Sequence, residues 1–213
     1  MNPRINRDHP PPGSSRSYHA RQDESDQGHS SHVPCVASVL LLMVANAAAQ
    51  TLPVPLGTAS TYGVLAGSAI TNTGASIVTG DIGVNPGTVV TGFPPGSVVG
   101  GAIHSADESA NSAQGALTAA YIDAAGRTPA TPVAAQLGGY TFGPGVYNSG
   151  TLAIDGTVTL DGQNLANAVF IFQADSTLTT AGTSQVVLIN GAQPGNIFWK
   201  VGSSATLGTY SVF

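Results

Sequence analysis

From Leu56 to the end of the chain, apolar and polar positions alternate over short runs. YGVLAG, SIVTGDIGV, TVVTGF, GSVVGGAI, GTVTLDG, AVFIFQA, QVVLINGA and NIFWKVG are rich in β-branched residues, and each is punctuated by Gly, Asn or Asp. Each run reads as one short strand and each punctuation as a corner. Asp155-Gly156 and Asp161-Gly162 bracket TVTL, giving that strand a turn signal at both ends. One segment breaks the pattern. Residues 104–126 are Ala-rich and free of proline, with Ala106, Ala110, Ala113, Leu117, Ala120, Tyr121 and Ala124 at helical spacing. Ser105 and Glu108 form a capping box, Gly126 supplies a stop and Pro129 follows, so a single helix is expected over 104–126. Its face of alanines lets it lie flat against strands.

Strands with frequent corners fit a sandwich, a barrel or a β-solenoid equally well, and only a repeat separates them. Five four-residue groups carry a small polar residue at both ends: Thr58 to Thr61, Thr73 to Ser76, Asn148 to Thr151, Thr180 to Thr183 and Thr206 to Thr209. The last three begin 32 and then 26 residues apart, the irregular coil length of an imperfect β-helix. Stacked coils would place equivalent positions about 4.8 Å apart, with alternate residues along a strand about 6.7 Å apart on one face. Threonines repeated in that way make a grid of hydroxyls and methyls. Threonine is also common in strands and turns generally, and the pattern alone leaves both readings open.

Composition narrows the possible functions. Only 8% of residues are charged, and beyond residue 50 the cations are Arg127 and Lys200 alone. Two cations release too few counterions for a nucleic-acid groove, and they disfavour an anionic membrane surface. All 21 threonines and 25 of the 27 glycines also lie beyond residue 50. That stretch reads as a β-rich body that folds.

Residues 1–34, with His9, His19, His29 and His32 among Pro and Ser, read as a disordered leader. Residues 35–49 contain an apolar run ending in small residues, with Ala47 and Ala49 in an A-x-A cleavage pattern before Gln50. This reads as a secretory signal, which places the body outside the cell and limits membrane contact to an uncleaved signal segment. Cys35 is the only cysteine, so a mature chain starting at Gln50 has no disulfide and no thiolate metal site. His104 alone makes no metal site. No cofactor is expected.

At the level of motifs the residues become specific. LGTASTYGVLAGSAITNTG, TGDIGVNPGT, VTGFPPG, the helix ending AYIDAAGRTP, GGYTFGPGVY, AVFIFQADSTL and NGAQPGNIFWKVGSSATLGTYSVF resemble the microbial ice-binding protein family, the domain of unknown function 3494 type. The resemblance covers residues 56–213. It implies a mainly β fold: a discontinuous right-handed β-helix of triangular cross-section, with one long α-helix packed alongside. It also implies a secreted protein that binds ice through one flat face. Thr58 to Thr61 and Thr180 to Thr183 match the T-A/G-x-T/N pattern that several members carry on that face, and Asn148 to Thr151 and Thr206 to Thr209 match at their ends. Members usually continue for several more strands past the equivalent of TLGTYSVF, so the domain over 56–213 is expected to be C-terminally truncated, with an open, aggregation-prone end.

Ice binding requires a flat, rigid, uncharged face. Ions hold water in a geometry foreign to ice, whereas a Thr methyl excludes water beside a hydroxyl that anchors it. The expected contacts are Thr58, Thr61, Thr73, Ser76, Asn148, Thr151, Thr180, Thr183, Thr206 and Thr209, with the ice surface as partner and the protein a monomer. The alternative function is a non-enzymatic solenoid for adhesion or spacing. A polysaccharide-cleaving enzyme needs paired carboxylates or clustered acids near a base. Asp155 and Asp161 instead read as turn caps, and Arg127 and Lys200 are far apart in sequence, so no small-molecule substrate is expected. Asp81 reads as a corner residue bonding its own backbone, Trp199 as packing, and Arg127 as facing the helix C-terminus.

Overall fold

The computed structural model describes residues 51–213; the leader and the signal-like segment lie outside the described residues. The fold is mainly β with one helix. Two groups of strands are joined through that helix. The first group comprises β1 (Tyr62–Ala66), β2 (Ala69–Thr71), β3 (Ile77–Thr79), β4 (Asp81–Val84), β5 (Val89–Thr91), β6 (Ser97–Val99) and β7 (Ile103–Ser105). Helix α1 (Glu108–Gly126) follows. The second group comprises β8 (Thr131–Pro132), β9 (Thr141–Phe142), β10 (Gly145–Ser149), β11 (Leu152–Ile154), β12 (Thr157–Asp161), β13 (Phe170–Ala174), β14 (Thr177–Thr180), β15 (Gln185–Ile189), β16 (Ile197–Val201) and β17 (Ser204–Thr206).

Consecutive strands never pair. The chain visits three sheets in rotation: β10, β11 and β12 enter three different sheets, and β13, β14 and β15 then pair with them in the same order, all parallel. The strands β16 and β17 start a further round. In the first group β4, β5 and β6 pair in parallel with β1, β2 and β3. The TVTL strand, β12, is flanked by two parallel partners, β15 and β9, with no hairpin at its Asp-Gly corners. Gly80, at φ +94°, divides SIVTGDIGV into β3 and β4 where the sequence pattern suggested one strand. A single left-handed glycine is enough to turn the chain.

Register builds the interior. Leu152 stacks on Leu178, Val158 on Val186, and Leu160 on Leu188. Tyr147, Phe172 and Trp199 are in register on β10, β13 and β16, and their rings stack at 5.2 Å and 4.3 Å between centroids. Trp199 is thus a packing residue, as expected. β13 is buried on both faces. Phe170 and Phe172 point into the core, while Ile171 packs with Ala120 and Ala124 of α1. Gln173 on the same strand donates through Nε2 to the carbonyls of Ala124 at 2.8 Å and Arg127 at 3.2 Å, which satisfies the end of the helix.

The helix begins later than its composition suggests. Ser105 belongs to β7, paired with Val84, and its hydroxyl donates to the Thr88 carbonyl. The cap is Asp107, whose Oδ1 accepts from Ala110 N at 2.9 Å, so the Ser105 capping box does not form. Ala110, Ala113, Ala120 and Ala124 are buried as their spacing indicated, whereas Ala106 precedes the helix and Tyr121 is exposed. Close approach on this side is also built into the sheet. A Cβ at Gly83 would lie 2.5 Å from the Tyr62 ring and 2.8 Å from Leu65. Arg127, the residue just past α1, turns its side chain back onto the last turn, pairing with Asp123 at 2.7 Å, and also donates to the carbonyls of Leu52 and Pro53.

Candidate functional site

Side chains alternate across a strand, so each sheet has one row pointing in and one pointing out. The helix side is occupied by α1. On the sheet that follows it, made of β11, β14 and β17, the first two strands send Leu152, Ile154, Leu178 and Thr180 inward, all buried. The outward positions are Ala153 on β11, Thr177 and Thr179 on β14, and Ser204 and Thr206 on β17. Ala153 pairs with Thr179 and Thr179 with Thr206, while Thr177 pairs with Ser204. Thr151 precedes Leu152 as Thr177 precedes Leu178, and it is exposed. Two columns result, small and uncharged, with a hydroxyl at every position except Ala153.

The corresponding sheet of the first group, β2 and β5, carries one hydroxyl column beside an apolar one. Ala69 pairs with Val89 and Thr71 with Thr91, all four exposed, and Thr91 Oγ1 donates to Thr71 Oγ1 at 3.5 Å. The third sheets differ. β12 and β15 present Asp161, Gln185 and Ile189 among threonines, and β3 and β6 present the exposed Ile77 and Val99.

The ten residues expected on one face do not share one. Thr58 and Thr61 lie in the short 3-10 turn before β1, and Thr73 and Ser76 in the connection between β2 and β3, where Ser76 Oγ donates to Asn72. Asn148 is on β10, in the helix-backed sheet, with its Oδ1 buried. Thr180 is 3% exposed and points inward, which corrects its assignment as an ice contact. Thr183, at φ +63°, and Thr209 form the corners after β14 and β17. Thr151 and Thr206 alone of the ten fall on the outward columns. The physical reason is register. Thr206 pairs with Thr179, one residue before the Thr180 with which its group was aligned, and a slip of one turns a side chain to the other face. The repeated groups are corner motifs. The signal that finds the face is the alternating T-x-T or S-x-T unit just before two of those corners, Thr177-Leu178-Thr179 and Ser204-Ala205-Thr206.

The carboxylates hold structure. Asp81 accepts from Ala102 N, just before β7, rather than from its own backbone, which lowers its pKa, and a Thr61 hydrogen bond adds to this. Asp107 is lowered by Ala110 N and by His104, whose Nδ1 lies 2.7 Å from Oδ2. Asp161 Oδ1 accepts from Gln163 N and Asn190 Nδ2, the turn-capping role its Asp-Gly pair indicated. Among the described residues no group of His, Cys, Asp and Glu is arranged to hold a metal ion, and no helix is long and apolar enough to cross a membrane.

The chain is similar to known proteins. An ice-binding protein of Nostoc sp. (strain HG1) is 47% identical over 160 residues, covering 74% of this chain and 59% of the relative. The chain therefore spans about three fifths of that protein's length. An ice-binding protein of Colwellia sp is 36% identical, over 78% of this chain and 71% of the relative. The crystal structure of an ice-binding protein from the Antarctic ascomycete Antarctomyces psychrotrophicus superposes with a TM-score of 0.71 at 41% identity, covering 75% of this chain and 79% of that one. One from an Antarctic biological consortium gives a TM-score of 0.73 at 43% identity, covering 76% and 74%. The model of the ice-binding-like family matches residues 64–213, and on these grounds the chain belongs to that family.

Proposed function

We propose that this protein binds ice through the outward face of β11, β14 and β17, continued by that of β2 and β5. It is read as a secreted, monomeric protein without enzymatic activity. Its strands are read as winding into a discontinuous right-handed β-helix of triangular cross-section, with α1 alongside. The rotation of successive strands over three parallel sheets supports that winding. The relatives support the function, being ice-binding proteins by name. The observation that carries the choice of face is the pair of uncharged columns, Thr151, Thr177 and Ser204 beside Ala153, Thr179 and Thr206.

Each contact on such a face is weak. An ice surface offers no pocket, so affinity comes from many contacts made at once by groups whose ordering cost folding has already met. Rungs about 4.8 Å apart and alternate residues about 6.7 Å apart give a regular array. Ice growing between adsorbed molecules becomes curved, and its local freezing point falls.

The test is ice-recrystallisation inhibition by the purified protein, Thr179→Tyr and Thr157→Tyr. Thr157 is exposed on β12, in another sheet. Either change costs less than about 0.5 kcal/mol of stability as an exposed substitution. Thr179→Tyr should abolish activity and Thr157→Tyr should leave it intact, with unchanged circular dichroism. Equal activity in all three defeats the choice of face, and a folded but inactive wild type favours the structural-module reading.

A further inference from the structure

Behind the outward columns, at the corner where β14 and β17 leave their sheet, lies a cluster of inward hydroxyls. Thr180 Oγ1 accepts from Gly208 N at 2.9 Å and lies 3.0 Å from Ser211 Oγ. Ser211 Oγ in turn reaches the carbonyls of Gly208 at 2.8 Å and Ala181 at 3.1 Å. Ser184 Oγ donates to the carbonyls of Ile154 and Ala181, both at 2.8 Å. The protons can all be placed. Gly208 N–H occupies one lone pair of Thr180, the Thr180 hydroxyl donates to Ser211, and the Ser211 proton goes to a carbonyl. The cluster thus ties three successive rounds of chain, those of Ile154, Thr180 and Gly208.

Its position relative to the face is specific. Thr180 directly follows Thr179, and Gly208 lies two residues after Thr206, the rung partner of Thr179. The Gly208 to Thr180 bond therefore fixes the backbone just beyond both threonines. The approach is close enough that a Cβ at Gly208 would sit 2.5 Å from the Ala181 carbonyl carbon.

We infer that Thr180 is the positioning residue of the Thr179 and Thr206 pair: buried itself, it holds the two outward hydroxyls in a flat, fixed rung through Gly208. The inference rests on the ice-binding reading and on the face assigned above. Valine keeps the shape of Thr180 and removes its hydroxyl, while serine keeps the hydroxyl. Thr180→Val should raise the concentration that halts ice recrystallisation about tenfold, the scale set by one buried hydrogen bond, and Thr180→Ser should restore the wild-type value. The double variant Thr180→Val/Thr206→Val should lose less than the product of the two single losses, because both changes act on one rung. Ser211→Ala, the milder cut, should cost about two- to threefold with unchanged circular dichroism, and it decides the matter if Thr180→Val does not fold.

Wild-type activity in folded Thr180→Val, no rescue by serine, a multiplicative double variant or an unaffected Ser211→Ala each overturns the inference. Thr179→Tyr, assayed alongside, separates the two levels. If it is inactive while Thr180→Val is fully active, only the positioning role falls. If Thr179→Tyr is itself active, the face falls and the role with it.

Discussion

Phe172 is fully buried between the rings of Tyr147 and Trp199, with Phe142 edge-on at 5.5 Å. Truncation to alanine should cost about 3–5 kcal/mol, read as a lower midpoint in denaturant unfolding, because the stacked rounds cannot close over the cavity. Asp81 and Asp107 give a second measurable property. Hydrogen bonds hold both below the ordinary carboxylate value of about 3.9, so their contribution is complete above that value and is lost as pH falls through their folded pKa values. Thermal melts should lose stability below about pH 4, and Asp81→Asn should flatten that loss. At this scale the sequence was most readable where a residue's role is intrinsic, as for Trp199 in the core or Asp161 at its turn. It was least readable where a partner from another round decides the role. Asp81 bonds Ala102, and Thr180 bonds Gly208 and Ser211; none of the three partners is marked by any local pattern.

Among the elements, α1 was legible in composition and extent, except that its start follows the pairing of β7 rather than the Ser105 signal. Asp107→Ala removes the actual cap and should cost about 1 kcal/mol in thermal stability. The strands were legible where β-branched runs are long, as in β12, β13 and β15. β11, β14 and β17, which carry the proposed face, are not marked as strands in the sequence because they are short and the Gly-containing corners after them dominate the local pattern. Their register makes a prediction in the opposite direction from the others. Ala153 is the one outward position of the two columns without a hydroxyl, and Ala153→Thr should lower the concentration needed to inhibit recrystallisation. An unchanged or higher concentration with intact folding would show that the columns do not act as one array.

At the scale of the molecule, no sheet among the described residues contains strands from both groups: β1 to β7 fill three sheets and β8 to β17 three others. Helix α1 bridges them. Its beginning is fixed to the first group through Asp107 and His104 and through the Ser109 to Tyr62 hydrogen bond, and its end to the second through Gln173. The helix therefore serves as a splint across two bodies with no shared backbone ladder among the described residues, and the segment before β1 adds a second tie, its Val54 packing with Val146, Val169 and Ile171. Native-state hydrogen exchange in mild denaturant should resolve two protection levels, one for the amides of β4 and one for those of β13. Weakening the splint at Asp107 should lower the first level and leave the second in place.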